Sequence, residues 1–511
     1  MSLNAALSIA TSSIANVNGQ LMLVSHNVAN ADTPGYVSET ATQEELTADG
    51  IGLGVISGPV TRNLDTALQA QVFQQNATVA GLQTTQTALQ AIDAVQGTPG
   101  QGGDVASLLG QLQDQFSTLL NDPSNQTQQS AVVSAASTLA NAINALSNTY
   151  TQQRQTAENN VVGEVNTINT TLGTISQLNA QIVDLQAGGQ STADLENQRD
   201  QAVQQLEQVV DVSTFVQPDG NMLISTTGGL ALTTDGSPNL LSTSSANVQP
   251  GTYYPGGGIP AITLGGVDVT GQLTGGQLGA NITLRDTTLP TYQGELDEFS
   301  QNLASRFAAQ GLTLFSDPTG NVPEASAPPA PVQQNYVGFA SEIQVNPAVL
   351  ADPSLVRDGT DAIAGSPTGA AAFTPNPPGG PAGFNTLIEN ILTYTLGADV
   401  QADVPQPATN TTGLGASGTL NATYVAPATL GGIASALVAA EAQDSANTTN
   451  LLNTEQATQT TLSNSLSSGS GVNMDAEMSL MIQLQNAYGV NAKIIGAVQS
   501  MWTQLDNSVQ A

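Results

Sequence analysis

The side chains that could carry chemistry are few: one histidine, His26, no cysteine, and a cluster of carboxylates at Asp194, Glu196 and Asp200. An imidazole needs a base, a second ligand or a thiolate beside it to act as catalyst or metal ligand. His26 falls in a helical stretch next to Asn27 with no such partner nearby in sequence, so it is expected to be a polar contact residue. Asp194, Glu196 and Asp200 lie in the first turns of a predicted helix, where the positive end of the dipole favours them. Gly413, Gly415 and Gly418 match the dinucleotide pattern formally, but no apolar strand precedes them and Pro427 interrupts the stretch after them, which makes the segment a loop. No calcium-loop pattern is present, and the lack of cysteine excludes disulfides, thiolate metal sites and cysteine nucleophiles. The expectation is a chain with no catalytic residues, no metal site and no cofactor.

The remaining question is one of elements and surfaces. At 511 residues the chain is long enough for about three domains. Hydrophobic residues are 40% but aromatics only 4%, so the cores are expected to be aliphatic and built from closely packed helices. Seven basic residues against forty acidic ones give a net charge of −33, which excludes the counterion release that drives nucleic-acid binding. Only 9% of residues are charged, so Gln, Asn, Ser and Thr must cover most of the surface. Surfaces of that kind can be buried between subunits without stranding charge. No stretch approaches the ~18 consecutive apolar residues of a membrane helix, and residues 1–31 carry no Lys or Arg for the n-region of a secretory signal.

The strongest pattern is at the start. Leu3, Leu7, Ala10, Ile14, Val17, Leu21, Val24 and Val28 step by four and three, a heptad seam about 39 Å long whose other faces are uncharged. Met481, Leu484, Tyr488, Ala492, Ile495, Val498, Trp502, Leu505 and Val509 form a second stripe at the far end, and from Met478 to Ala511 only Lys493 and Asp506 are charged. Two such helices can form a coaxial pair whose remaining surfaces are covered by neighbouring subunits.

Residues 76–210 read as further helix, with Val132 to Tyr150 and Val161 to Ile175 as its stripes and Ser191 with Asp194 as a capping box. The period changes to two at Asp211, predicting a hairpin around Pro218-Asp219-Gly220-Asn221. Gly, Pro, Thr and Ser then dominate to about residue 425, with helix near 289–310 and 384–396, and helix returns over 430–466. The expected fold class is α+β multidomain: terminal coaxial helices, a long helical bundle and one or two inserted β-rich outer domains. The expected division is 1–60 with 470–511, 61–210 with 425–469, and 211–424.

Ser25-His26-Asn27-Val28-Ala29-Asn30 followed by Thr33-Pro34-Gly35-Tyr36 resembles the N-terminal signature of flagellar rod, hook and hook-associated proteins. Physically the segment ends a helix and turns, with Pro34 and Gly35 as the central pair of a type II turn. With Gly52, Gly54, Val55, Arg62 and Asp65 after it, it is similar to the flagellar hook-associated protein 1 family in particular. Gly471, Val472 and Asn473, then Glu477, Gln485, Asn491 and Lys493, resemble that family's last helix. Weaker echoes lie at Asn169, Leu178 to Ile182, Arg199-Asp200, Asp219-Gly220 and Gly275 to Gly279. Ser38, where the family often has a basic residue, and Ala476, where an acid is expected, depart from the pattern.

The resemblance implies a structural junction between hook and filament that is exported unfolded by the flagellar type III route without a cleavable signal and works outside the cell. It implies as partners further copies of the chain in a ring, the hook protein, the next hook-associated protein on the filament side, and an export chaperone at the C-terminal helix. It implies no nucleic acid and no membrane insertion. The alternatives are another axial component, hook or distal rod protein, or a secreted protein with a glycan-binding β-rich middle. The long helical stretch over 76–210 separates the junction reading from a hook protein, which is β-rich soon after its first helix.

Overall fold

A computed structural model describes residues 3–33, 35–48, 51–234 and 240–510; Pro34 falls outside them. The chain enters as helix α1 (Leu3–Ala29), makes a long antiparallel hairpin of β1 (Glu39–Ala48) and β2 (Ile51–Arg62), and continues into helices α2 (Thr66–Gln96), α3 (Val105–Asn121), α4 (Gln126–Ala187) and α5 (Ala193–Val209). Side-chain caps open three of these helices: Asp65 accepts the amides of Ala67 and Leu68, Asp104 that of Ser107, and Asn125 those of Thr127 and Gln128. α5 is the exception. Its N-cap is Thr192 rather than Ser191, and the cap makes no side-chain bond to the helix amides. The Thr192 hydroxyl donates instead to the Glu196 carboxylate at 2.7 Å, so the expected capping box at Ser191 and Asp194 does not form.

The spine is α4, whose 62 residues make a rod of about 93 Å. Both of its predicted stripes are buried, but they serve two different cores. Val132 to Tyr150 pack with α3, the end of α2, helix α6 (Leu289–Ala309) and residues 312–396, together with the start of helix α7 (Leu430–Ser470). Val161 to Ile175 pack with α5, the hairpin of β3 (Val212–Val216) and β4 (Met222–Thr226), and residues out to Leu278. Between the cores lies a polar layer. Arg285 pairs with Glu158 at 2.7 Å and with Asp286 at 2.7 Å, and Arg154 donates to the carbonyls of Arg285, Gln249 and Thr252. All its buried charges are paired or bonded to backbone carbonyls, as burial requires.

The expected hairpin has the predicted register, Val212 opposite Thr226 and Val216 opposite Met222, and Gly220 takes the left-handed conformation in its turn with φ +85°. The other strands of residues 231–421 are two or three residues long, and several short helical turns lie among them. Gly413 and Leu414 lie in one such strand and residues 415–419 turn into the next, so the segment is a small hairpin. Residues 211–424 thus carry small antiparallel sheets, and their apolar side chains complete the two cores that α4 begins.

α7 returns antiparallel along α2 through polar pairs: Gln96 with Glu441, Asp93 with Ser445, Gln86 with Thr449, Gln75 with Glu455 and Asn76 with Gln459. Three of these five pairs seat a carboxylate, Glu441, Asp93 or Glu455, on a neutral amide or hydroxyl. The last helix, α8 (Met474–Gln510), runs back along α1.

Burial raises several interior carboxyls above their ordinary range. Glu164, Glu295 and Asp297 reach about 7, and Glu207 and Glu441 about 8. A carboxyl with a raised folded-state pKa binds its proton more tightly in the native chain than in the unfolded one. Its contribution is complete below the unfolded value and is lost as pH rises through the folded value. Asp104, Asp268, Asp317 and Asp358 are held low by hydrogen bonds and oppose this only at acid pH, where they protonate. The expected result is a melting temperature that falls between about pH 5 and pH 8.5, checked by calorimetry across that range; Glu441→Gln should flatten the upper part of the curve.

Candidate assembly interface

α1 and α8 pack side by side and antiparallel, with Asn27 near the end of one touching Glu477 near the start of the other. Val17, Val24 and Leu484 form the centre of their seam, with Leu21, Val28, Met481 and Ala487 around it. Ala10 and Val498 are buried further along, while Leu3, Leu7, Ile14 and Ile495 are half-buried. The second stripe therefore divides. Met481, Leu484, Ile495 and Val498 turn toward α1, whereas Tyr488, Ala492, Trp502 and Leu505 stay exposed; the Val509 side chain lies outside the described residues. Met478, Ile482, Val490, Ile494 and Met501 are exposed as well. Ile482, at 58%, and Val490, at 58%, show how open this apolar face is on the single chain.

The signature residues meet at the foot of this pair. Asn27 is 1% exposed and uses both donors and both lone pairs of its amide. Its Nδ2 donates to the Glu39 carbonyl and the Glu477 carboxylate, each at 2.9 Å, and its Oδ1 accepts the Glu39 amide at 3.0 Å and the Tyr36 hydroxyl at 2.9 Å. One side chain thus holds α1, β1, α8 and the intervening turn. Asn30 extends the end of α1 by donating to the His26 carbonyl, and Thr33 bonds to Asn30. Tyr36 N–H donates to the Thr33 carbonyl at 3.1 Å and Gly35 has φ +78°, as a type II turn requires. Ala29 is exposed. At the other end Gly471 closes α7, where a Cβ would lie 2.4 Å from the Ser467 carbonyl oxygen, and Asn473 caps α8 through the Ala476 amide. Ala476 itself is exposed.

β2 lies against α1 at Gly54, where an added Cβ would come within 2.2 Å of the Ser12 hydroxyl. Arg62, at its end, reaches α5 and binds Glu196 at 2.8 Å, Asp200 at 2.6 Å and Asn197 at 3.1 Å. Two of the carboxylates read from sequence as dipole-stabilised, Glu196 and Asp200, thus form an arginine clamp between the terminal segment and the bundle. Ser38 and Asp65 both bond to Ser470, and Asn63 to Gly469, so the two chain crossings are tied together. Val472 lines a cavity of about 410 Å³ at this joint, with Tyr36, Phe73 and Leu466. His26 is not isolated: its Nδ1 lies 3.7 Å from Glu39 and its Nε2 3.7 Å from Asp194. Burial, and then Asp194, push the Glu39 carboxyl up.

The β1–β2 hairpin and the Arg62 clamp have no clear signal in the pattern, because Glu39 to Arg62 does not alternate cleanly between apolar and polar. The weaker echoes converge too. Asn179 accepts from Arg199 and from the Met222 amide and donates to the Met222 carbonyl, while Arg199 also bonds the Gly220 carbonyl.

Residues 89–321 match the family described as "Flagellar hook-associated protein FlgK helical domain", and residues 463–508 match "Flagellar basal body rod FlgEFG protein C-terminal". The chain is 25% identical to flagellar hook-associated protein 1 of Escherichia coli (strain K12), over 95% of this chain and 96% of that protein. It is 27% identical to flagellar hook-associated protein 1 of Bacillus subtilis (strain 168), over 42% of this chain and 44% of that one. The solved flagellar hook junction protein FlgK from Burkholderia pseudomallei aligns with 50% of this chain and 47% of its own, at 26% identity and a TM-score of 0.41.

Replacing Asn27 by Ala removes four hydrogen bonds at one buried point, worth about 2–4 kcal/mol together. The expected outcome is faster amide exchange at Glu39 and along the start of α8, with the α4 amides unchanged, measured by native-state hydrogen exchange on the whole chain.

Proposed function

We propose that this chain, which belongs to the flagellar hook-associated protein 1 family, is the structural junction piece between hook and filament of the bacterial flagellum and joins the axial stack through its terminal helices. The observation that carries the assembly route is α8. It satisfies one face on α1 and leaves Met478, Ile482, Val490, Ile494 and Met501 in water, on a helix almost without charge. Apolar surface of that extent on a single chain is stabilised by a partner. Further copies in a ring, the hook protein below and the next hook-associated protein above supply such partners.

In this reading residues 1–60 with 470–511 line the axis, 61–210 with 425–469 form the helical body, and 211–424 face outward. The role is structural rather than catalytic. Export through the flagellar type III route and work outside the cell accord with the same placement. A chaperone on α8 before export would cover the face that neighbours cover afterwards. The rod-type match over 463–508 is also compatible with a rod or hook component. The helical-domain match over 89–321, on the long bundle, favours the junction.

Ile494 is 42% exposed on the single chain, so Ile494→Glu should change monomer stability by less than about 0.5 kcal/mol. Its incorporation at hook tips, read by immunogold labelling of isolated flagella, should fall at least about tenfold, the equivalent of 1.4 kcal/mol at a subunit contact. Deleting residues 2–28 should abolish it. Undiminished labelling with either variant would sink the proposed route.

A further inference from the structure

His26 stands in a hydrogen-bond network that determines which of its nitrogens carries the proton. The Tyr36 hydroxyl has one proton, and it goes to Asn27 Oδ1. That orientation of the Asn27 amide is required by the Glu39 backbone, which receives Nδ2 at its carbonyl and offers its N–H to Oδ1. The Tyr36 oxygen, 3.3 Å from His26 Nδ1, can then only accept. In the neutral imidazole Nδ1 therefore holds the hydrogen and Nε2 holds the lone pair. That lone pair faces the Asp194 carboxylate at 3.7 Å, so two acceptors confront each other with nothing to share.

Glu39 adds to the deficit. Its side chain is 5% exposed and its Oε2 lies 3.7 Å from His26 Nδ1, the nitrogen that Tyr36 also faces, while Oε1 is buried without a hydrogen-bond partner. One donor atom each from His26, Glu39 and Asp194 lie within 4.8 Å of one another. Arg62, the nearby cation, is committed to Glu196 and Asp200.

We propose that His26, Glu39 and Asp194 form a binding site for a first-row divalent cation of the zinc type, which would bridge α1, β1 and α5. The ligand chemistry is one imidazole nitrogen and two carboxylates, a set that suits zinc and its neighbours better than calcium or magnesium, which prefer all-oxygen shells. Donors around a four-coordinate zinc stand about 3.3 Å apart, given bond lengths near 2.0 Å. The three side chains must therefore draw in by roughly 1.5 Å. His26, 40% exposed, and Asp194, 66% exposed, are free to do so around the fixed Glu39. Tyr36 on Nδ1 would orient the ring, as outer-shell partners of metal-bound histidines do. The ion would fasten the terminal hairpin to the helical bundle beside the Arg62 clamp.

The sequence hides this site because Asp194 is far along the chain from His26 and Glu39. The test is titration of the full-length, metal-stripped chain at pH 7 with Zn²⁺ by calorimetry, and with Co²⁺ by absorption to report nitrogen ligation. The expected result is one ion per chain, bound at least about tenfold more weakly by His26→Gln and by Asp194→Asn. Asp219→Asn, an exposed acid elsewhere, should bind as the parent does. Both test substitutions are at exposed side chains, and circular dichroism confirms that the variants fold. If His26→Gln binds Zn²⁺ as tightly as the parent, or no one-to-one binding occurs, the site is overturned. Binding is read on the single chain, so such a failure leaves the junction role untouched.

Discussion

Asn27 commits every donor and acceptor of its amide to three different parts of the chain, and the geometry of the terminal region depends on it. A helix that shares only a narrow apolar seam with one neighbour can slide by a turn or rotate at little cost, because apolar contact is non-directional. Four hydrogen bonds at a buried point are directional, and breaking register there would strand polar groups away from water. The amide thus sets where α1 stops, where β1 starts and where α8 begins relative to both. Tyr36 and Glu477 contribute by being the groups that amide can reach.

The same logic of polar pins on apolar packing recurs up the molecule. Asn179 and Arg199 pin the β3–β4 hairpin to α4 and α5, and Arg154, Glu158 and Arg285 separate the two cores of the spine. Aliphatic packing supplies the bulk of the stabilisation in each core, while these points define orientation. With so few basic residues in the chain, placing Arg62, Arg154, Arg199, Arg285 and Arg306 in buried or half-buried positions leaves the surface almost wholly acidic or neutral. That surface favours polar seams such as the one between α2 and α7, where neutral amides and hydroxyls hydrogen-bond carboxylates and one another.

The helices were legible because each carries its own record. Val132 to Ile175 repeat at the α-helical period over a whole rod, and the change of period at Asp211 marks the hairpin to the residue. The terminal stripes likewise show in Leu3 to Val28 and Met481 to Val498. The pattern could not show which residues meet across long separations. Arg62 finds Glu196 and Asp200, and Asn27 finds Glu477, through folding of the whole chain rather than through local period. The shared cores of α4 were hidden for the same reason: a stripe announces that it will be buried without naming what covers it.

The division of α8 into a satisfied and an open face links the fold to its use. Tyr488, Trp502 and Leu505 belong by spacing to the same stripe as Leu484 and Val498, yet they remain exposed, because α1 is one helix and can cover only a narrow sector of another. A helix whose apolar residues extend beyond that sector is built for more neighbours than its own chain provides. The two cores of α4, by contrast, are built from side chains of this chain alone. The terminal pair and the body are thus packed by separate sets of side chains, with the Arg62 clamp joining β2 to α5.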